Sequence, residues 1–266
     1  MNFIIYPPTS PIFCNLFGYP IRYYGIFMSF SFLVGLCLVY FLLKYTLTKK
    51  DCDLFLDYSS VLIFFSILGA RLFYVLGDLA FFIQYPKEII LINHGGMSIY
   101  GAILVGILGL YVLSVKKKFN FWKHCDVIAV VFPLCQAIGR FGNYFNQEAF
   151  GKPANSFIRL FVDLQYRPNS MQNYEYFHPT FLYESALNFT LFCFLLVIFL
   201  KFKNLKTGTI LLLYLIFYSV IRFFIESIRI DSVLNIGFMP IAQAISISIF
   251  IISIFILINL YKKSAQ

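Results

Sequence analysis

An arginine, two asparagines and a glutamate interrupt a strongly apolar run in the stretch Ile138 to Gly151, IGRFGNYFNQEAFG. Ionisable groups at membrane depth are costly, and by default they mark a function whose partners are to be found. Arg140, Asn143 and Asn146 are spaced three apart, so on a helix they drift slowly around one face and point toward a shared cavity. Gly139, Gly142 and Gly151 would let a second backbone or a ligand approach closely. Two other apolar runs carry the same kind of interruption. In HPTFLYES, Glu184 inside a span requires a positive partner, and His178 and Tyr183 would face the same cavity. In IRFFIESIRID, Arg222, Glu226 and Arg229 are four and three apart, which puts alternating charges on one helical face. That ladder reads either as internal ion pairing or as part of a site.

The arginines stand out against the lysines. Arg22, Arg71, Arg140, Arg222 and Arg229 lie within apolar runs or near their ends, whereas the lysines gather in the polar loops. Arginine's planar fork binds phosphate or carboxylate through two parallel hydrogen bonds, which suits an enzyme that handles phospholipid. Each arginine alone is explained equally by pairing with a buried carboxylate or with helix carbonyls. The five together point to a polar site. Tyr23 and Tyr24 at the first span read as an interfacial aromatic belt, with Tyr24 also open to a functional role. Ser98 and Tyr100 add hydroxyls in GGMSIYGAILVGILG, whose dense glycines suggest close helix packing or broken geometry. His94 and His124 read as loop or interface residues.

These residues need elements to hold them, and composition says which. With 60% hydrophobic and only 12% charged residues, the chain reads as an all-α polytopic membrane protein. A span takes about 20 mostly apolar residues, and seven runs qualify: Tyr23 to Leu43, Tyr58 to Leu76, Ser98 to Val115, Asp126 to Phe145, Thr180 to Leu200, Thr209 to Ile228 and Pro240 to Leu260. The whole of 1–266 reads as one membrane domain, with a non-cytoplasmic loop region near 146–178 that is long enough for a lid or docking arm. Lysines fall in alternate loops (Lys44, Lys49, Lys50; Lys116, Lys117, Lys118, Lys123; Lys201, Lys203, Lys206; Lys262, Lys263), which predicts an N-terminus outside and a C-terminus in the cytoplasm. Those loops beside anionic lipid account for most of the net charge of +9, so no nucleic acid is implied. The N-terminus lacks the basic start of a cleavable signal. The six cysteines show no metal or disulfide spacing, and with no phosphate loop either, no cofactor is expected.

Several motifs together resemble the prolipoprotein diacylglyceryl transferase family, bacterial membrane enzymes that lipidate lipoprotein precursors. They are YYG, GARLFYVL, GGMSIYG, GRFGNYFNQEAFG, HPTFLYES and RFFIESIRID, in the family's order over nearly the whole chain. The resemblance implies seven spans with the N-terminus outside, in agreement with the lysine pattern. It implies transfer of a diacylglyceryl group from phosphatidylglycerol to the lipobox cysteine of a secreted precursor, at the outer face of the bacterial inner membrane. By this resemblance Arg140 and Arg222 hold the lipid headgroup, with Asn143 and Tyr24 beside them. Asn146, Glu148, Gly151, Glu226 and Arg229 match supporting positions. Some members carry histidine where this chain has Tyr100, so a histidine base does not transfer. Tyrosine, with a reference pKa of about 10, is a poor base unless arginines lower it; His178, or the arginine field itself with no side-chain base, is the alternative. Ala242 stands where the family usually has glycine before glutamine.

Two other classes fit the buried charges. A transporter would use them as an anion or proton path, although no internal repeat is visible in the sequence. A structural membrane subunit would use them only to hold its helices together.

Overall fold

The computed structural model describes residues 3–46, 49–91, 95–230, 235–236 and 239–262. His94 and Lys263 lie outside the described residues. Eight helices follow in order: α1 (Tyr23–Thr46), α2 (Lys49–Gly77), a short α3 (Leu79–Gln84), α4 (Ile99–Lys117), α5 (Phe121–Asn146), α6 (Thr180–Lys201), α7 (Thr209–Ile228) and α8 (Ile241–Lys262). All except α3 are long and apolar enough to cross a membrane, seven in total, so the protein is an all-α polytopic membrane protein. At 1.5 Å per residue, about 20 residues cover the hydrocarbon core. Two helices begin earlier than their apolar runs, α2 at Lys49 and α5 at Phe121. Polar and charged residues continue a helix readily once it leaves the hydrocarbon. Half of the apolar window of α5 is buried, against 17% for α8, so the helix carrying the signature is the most enclosed of the spans.

The chain forms two compact units, one of residues 1–39 and 125–266 and one of 40–124. In the smaller unit α2 packs on α4 through small residues. A methyl group on Gly101 would collide with the Gly69 carbonyl, and one on Gly109 would come 2.8 Å from Leu62 Cδ2. Gly101, Gly106 and Gly109 therefore serve close helix packing, while Gly95 (φ 87°) and Gly96 (φ 79°) stand before α4 in the left-handed conformation, so both expected roles of the motif's glycines are met. Arg71 in this unit is a structural clasp. Its guanidinium donates to the carbonyls of Ile89 (3.0 Å), Gly95 (2.6 Å) and Gly96 (2.7 Å), and also to that of Glu88. The carbonyl-pairing reading of Arg71 is the one observed.

In the larger unit a small extramembrane layer joins segments far apart in sequence. Strand β1 (Phe3–Ile5) pairs in parallel with β4 (Ile158–Phe161), which pairs antiparallel with β5 (Tyr176–Phe177). Phe150, Leu160, Val162, Phe177 and Phe181 form the core beneath. Leu160 and Phe177 are only 1% and 0% exposed, and burying such a side chain contributes about 1.5–3 kcal/mol. The long loop is therefore an ordered cap with its own core. Four spans, α1, α2, α4 and α5, separate β1 from β4. An even number of crossings returns the chain to one side, as the pairing requires. A hairpin, β2 (Ile12–Leu16) and β3 (Tyr19–Arg22), leads into α1. Its turn residues Phe17 (φ 49°) and Gly18 (φ 86°) both take the left-handed conformation that favours tight hairpins.

Helix seams then fix α5 within this unit. Tyr23 stacks on Phe145 at 4.3 Å, and the Tyr24 ring lies flat over Gly142, where a methyl group would come 2.6 Å from Cδ2. Ser185 Oγ donates to the Ala137 carbonyl (2.9 Å), joining α6 to α5. Asp126, at the other end of α5, accepts from the backbone amides of Gly208 (2.6 Å) and Leu211 (2.8 Å). It caps the N-terminus of α7, whose first amides have no partner within their own helix.

Candidate functional site

One continuous chain of polar contacts runs through the end of the larger unit that carries Arg140. On α5, Arg140 Nη1 donates to Asn143 Oδ1 at 3.2 Å, so the three-residue spacing brings these two together. Asn143 Nδ2 (2.9 Å) and Asn146 Nδ2 (3.2 Å) both donate to Glu148 Oε1. Glu148 is reachable because the chain reverses where α5 ends. Gln147 (φ 50°) and Ala149 (φ 56°) both sit in the left-handed region, a conformation costing about 1–3 kcal/mol per non-glycine residue. Buried Gln147 holds the reversal, donating to Asp163 Oδ2 (2.5 Å) and accepting from the Asp163 amide (2.8 Å).

From Arg140 the contacts pass to α6 and α7. Arg140 Nη2 lies 2.5 Å from Glu184 Oε1, Arg222 Nη1 lies 3.9 Å from Glu184 Oε2, and Arg222 Nη2 lies 2.7 Å from Glu226 Oε2. The positive partner that Glu184 requires is thus Arg140. Two guanidinium groups and two carboxylates balance in charge, yet they are not equally covered. The arginine side chains keep 23% and 21% of their surface open, against 2% and 4% for Glu184 and Glu226. Within these ion pairs the guanidinium groups are the accessible partners and the carboxylates the covered ones, so an anion would meet the cations first; Glu148, beside Asn143 and Asn146, is exposed. Three polar groups here have no hydrogen-bond partner among the described residues: Asn146 Oδ1, Arg222 Nη1 and the whole amide of Asn188. A buried amide in that condition costs about 1–3 kcal/mol.

Other residues singled out by sequence fall elsewhere. Arg229 is the C-cap of α7, its amide still donating to the Ile225 carbonyl (3.2 Å), and beyond it the chain turns extended (ψ 152°), with the Arg229 backbone bridging to Gly151. Arg229 lines a cleft of about 920 Å³ with Lys152, Asn155 and Glu175. Gly151 is explained by crowding, since a methyl group there would come 2.8 Å from Ile228 Cγ2 and 2.9 Å from His178 Cβ. His178 Nδ1 lies 3.3 Å from the Tyr183 hydroxyl and stands outside the arginine network. Tyr100 belongs to the smaller unit, where it is 62% exposed. Sequence reasoning passed over Gln147, Asp126 and Asn188. For Asn188 a signal existed, because it follows Glu184 by four residues and so lies on the same helical face.

Seven helices long and apolar enough to cross a membrane, among the described residues, define an integral membrane protein, and the partly accessible guanidinium groups of Arg140 and Arg222 give its larger unit a site suited to anions. Residues 11–259 match the family model described as prolipoprotein diacylglyceryl transferase. Proteins named phosphatidylglycerol–prolipoprotein diacylglyceryl transferase are similar throughout. That of Acaryochloris marina is 42% identical over 85% of this chain and 82% of its own. That of Trichormus variabilis is 37% identical over 92% and 87%, and that of Clostridium novyi 38% over 96% and 98%. The chain belongs to the prolipoprotein diacylglyceryl transferase family.

Proposed function

We propose that this protein transfers the diacylglyceryl group of phosphatidylglycerol to the thiol of a lipobox cysteine in a prolipoprotein. The products are a thioether and glycerol 1-phosphate, in the first step of bacterial lipoprotein maturation. The thiol sulfur attacks the glyceryl carbon that bears the phosphate. The bond between that carbon and the phosphate oxygen breaks, its electron pair leaves with glycerol phosphate, and the thiol proton is released. A thiolate is the competent nucleophile. Because negative charge grows on the leaving phosphate, cations already fixed in place lower the barrier.

The observation that carries this reading is the pair Arg140 and Arg222 about Glu184, with 23% and 21% of their side-chain surface open against 2% for the carboxylate. In this reading the two arginines bind phosphate, exchanging one anion for another, and Asn143 and Tyr24 line the headgroup. Asn146, Glu148, Gly151 and Glu226 support that arrangement, and Arg229 extends the positive field toward the adjacent cleft. The thiol proton goes to Tyr100, to His178, or to water under the field of the arginines. The site faces the outside of the bacterial inner membrane, with the N-terminus outside and the C-terminus in the cytoplasm. Both substrates, the lipid and the signal peptide, arrive through the bilayer.

The test is to incubate purified protein in phosphatidylglycerol bilayers with a lipobox peptide. A gain of one diacylglyceryl mass on the cysteine, with matching release of glycerol phosphate, is expected. It should be lost in Arg222→Gln protein that still folds. Folded wild-type protein that gives no mass gain would remove the transferase reading.

A further inference from the structure

Asn188 lies one turn beyond Glu184 on the same face of α6 and has no exposed surface. Neither its oxygen nor its nitrogen has a hydrogen-bond partner among the described residues. The hydroxyls in this part of the unit have partners. Ser185 donates to Ala137, Tyr214 donates to Gln136 at 3.4 Å, and Ser219 donates to Leu215. An apolar side chain would fill an apolar interior without the desolvation cost, so packing alone gives no reason for an amide here. Four residues of helix rise separate Asn188 from Glu184, about 6 Å. Beside Glu184 stands the second group with spare capacity, Arg222 Nη1, buried and without a hydrogen bond.

The two groups differ in what they accept. A guanidinium only donates and suits phosphate oxygens, whereas an amide offers both a donor and an acceptor. A hydroxyl is the complement of an amide, since it also donates and accepts. The headgroup of phosphatidylglycerol carries both kinds of partner, a phosphate followed within a few bonds by two neighbouring hydroxyls. We propose that Asn188 is a specificity-determining residue that binds a headgroup glycerol hydroxyl while Arg140 and Arg222 hold the phosphate. This rests on the transferase reading above. Glu184 stands one turn ahead of Asn188 on the shared face, so a phosphate that draws Arg140 away from Glu184 also opens the way to the amide. The arginines select anionic lipids over those ending in an ammonium by charge. Asn188 selects glycerol over an alkyl group of the same length.

The experiment compares phosphatidylglycerol with phosphatidylpropanol, which keeps the phosphate and lacks both hydroxyls, as donors to the lipobox peptide. Wild-type protein should favour phosphatidylglycerol in kcat/KM by on the order of tenfold, the scale of one buried hydrogen-bonded group. In Asn188→Leu protein that folds, that ratio should fall toward one, mainly through a higher KM for phosphatidylglycerol. A role in structure alone would lower the midpoint and leave the ratio as it was, overturning the proposal. Where Asn188→Leu does not fold, Asn188→Ala carries the same comparison, and loss of folding in both also overturns it. Wild-type protein that uses both lipids equally defeats the role of Asn188 and leaves the transferase reading standing. Wild-type protein that uses neither defeats the transferase reading itself.

Discussion

Arg140 Nη2 meets Glu184 Oε1 at 2.5 Å, an ion pair that joins the signature helix α5 to α6 beside the Ser185–Ala137 hydrogen bond. The two partners are unlike in exposure, since the arginine keeps about a quarter of its side-chain surface open and the glutamate almost none. Removing one partner therefore differs from removing the other.

Arg140→Gln strands a buried carboxylate and should destabilise the protein by about 3–5 kcal/mol. Glu184→Gln leaves a partly exposed cation and should cost about 1–3 kcal/mol. The double variant should be more stable than the sum of the two losses, with a coupling of about 0.5–3 kcal/mol. Unfolding of all three in bilayers or detergent measures this, and equal costs for the two single changes would contradict the asymmetry.

Asp126 supplies the cap of α7 from a distant part of the chain. Asp126→Ala should cost about 1–2 kcal/mol, with amide exchange accelerating first at Thr209 to Leu212. Headgroup selectivity should be untouched. Unchanged exchange in that turn would show that the cap contributes nothing.

Arg71 gathers the carbonyls of Glu88, Ile89, Gly95 and Gly96 in a fork that lysine cannot reproduce. Arg71→Lys should lower stability by about 1–3 kcal/mol and leave the KM for lipid near its original value. A raised KM with unchanged stability would mean that Arg71 binds phosphate instead.

The spans were legible because a hydrocarbon slab imposes one length and one composition on whatever crosses it. The pairing of Glu184 was legible for a related reason, since a carboxylate inside an apolar run must find a cation. What stayed hidden depends on the ends of elements and on distant partners. Nothing local to Arg229 says that α7 stops one residue before it. Nothing near Asp126 names Gly208 and Leu211 as its partners. The strands β1 and β4 are three and four residues long, too short for a periodic signal, and their partners lie far apart in the chain. The loop between α5 and α6 looked like a lid by length, yet Val162 and Phe177 give it a core.

The parallel pairing of Phe3 with Ile158 also bears on how the protein is made. Closing so long a loop is entropically slow, and during synthesis the first strand must wait until α5 has been inserted and β4 has emerged. Until then the edge of β1 has no strand to pair with. A bulky tag fused at the N-terminus would lengthen or block that wait, so expression should suffer more from N-terminal than from C-terminal fusions even where neither touches the arginine site.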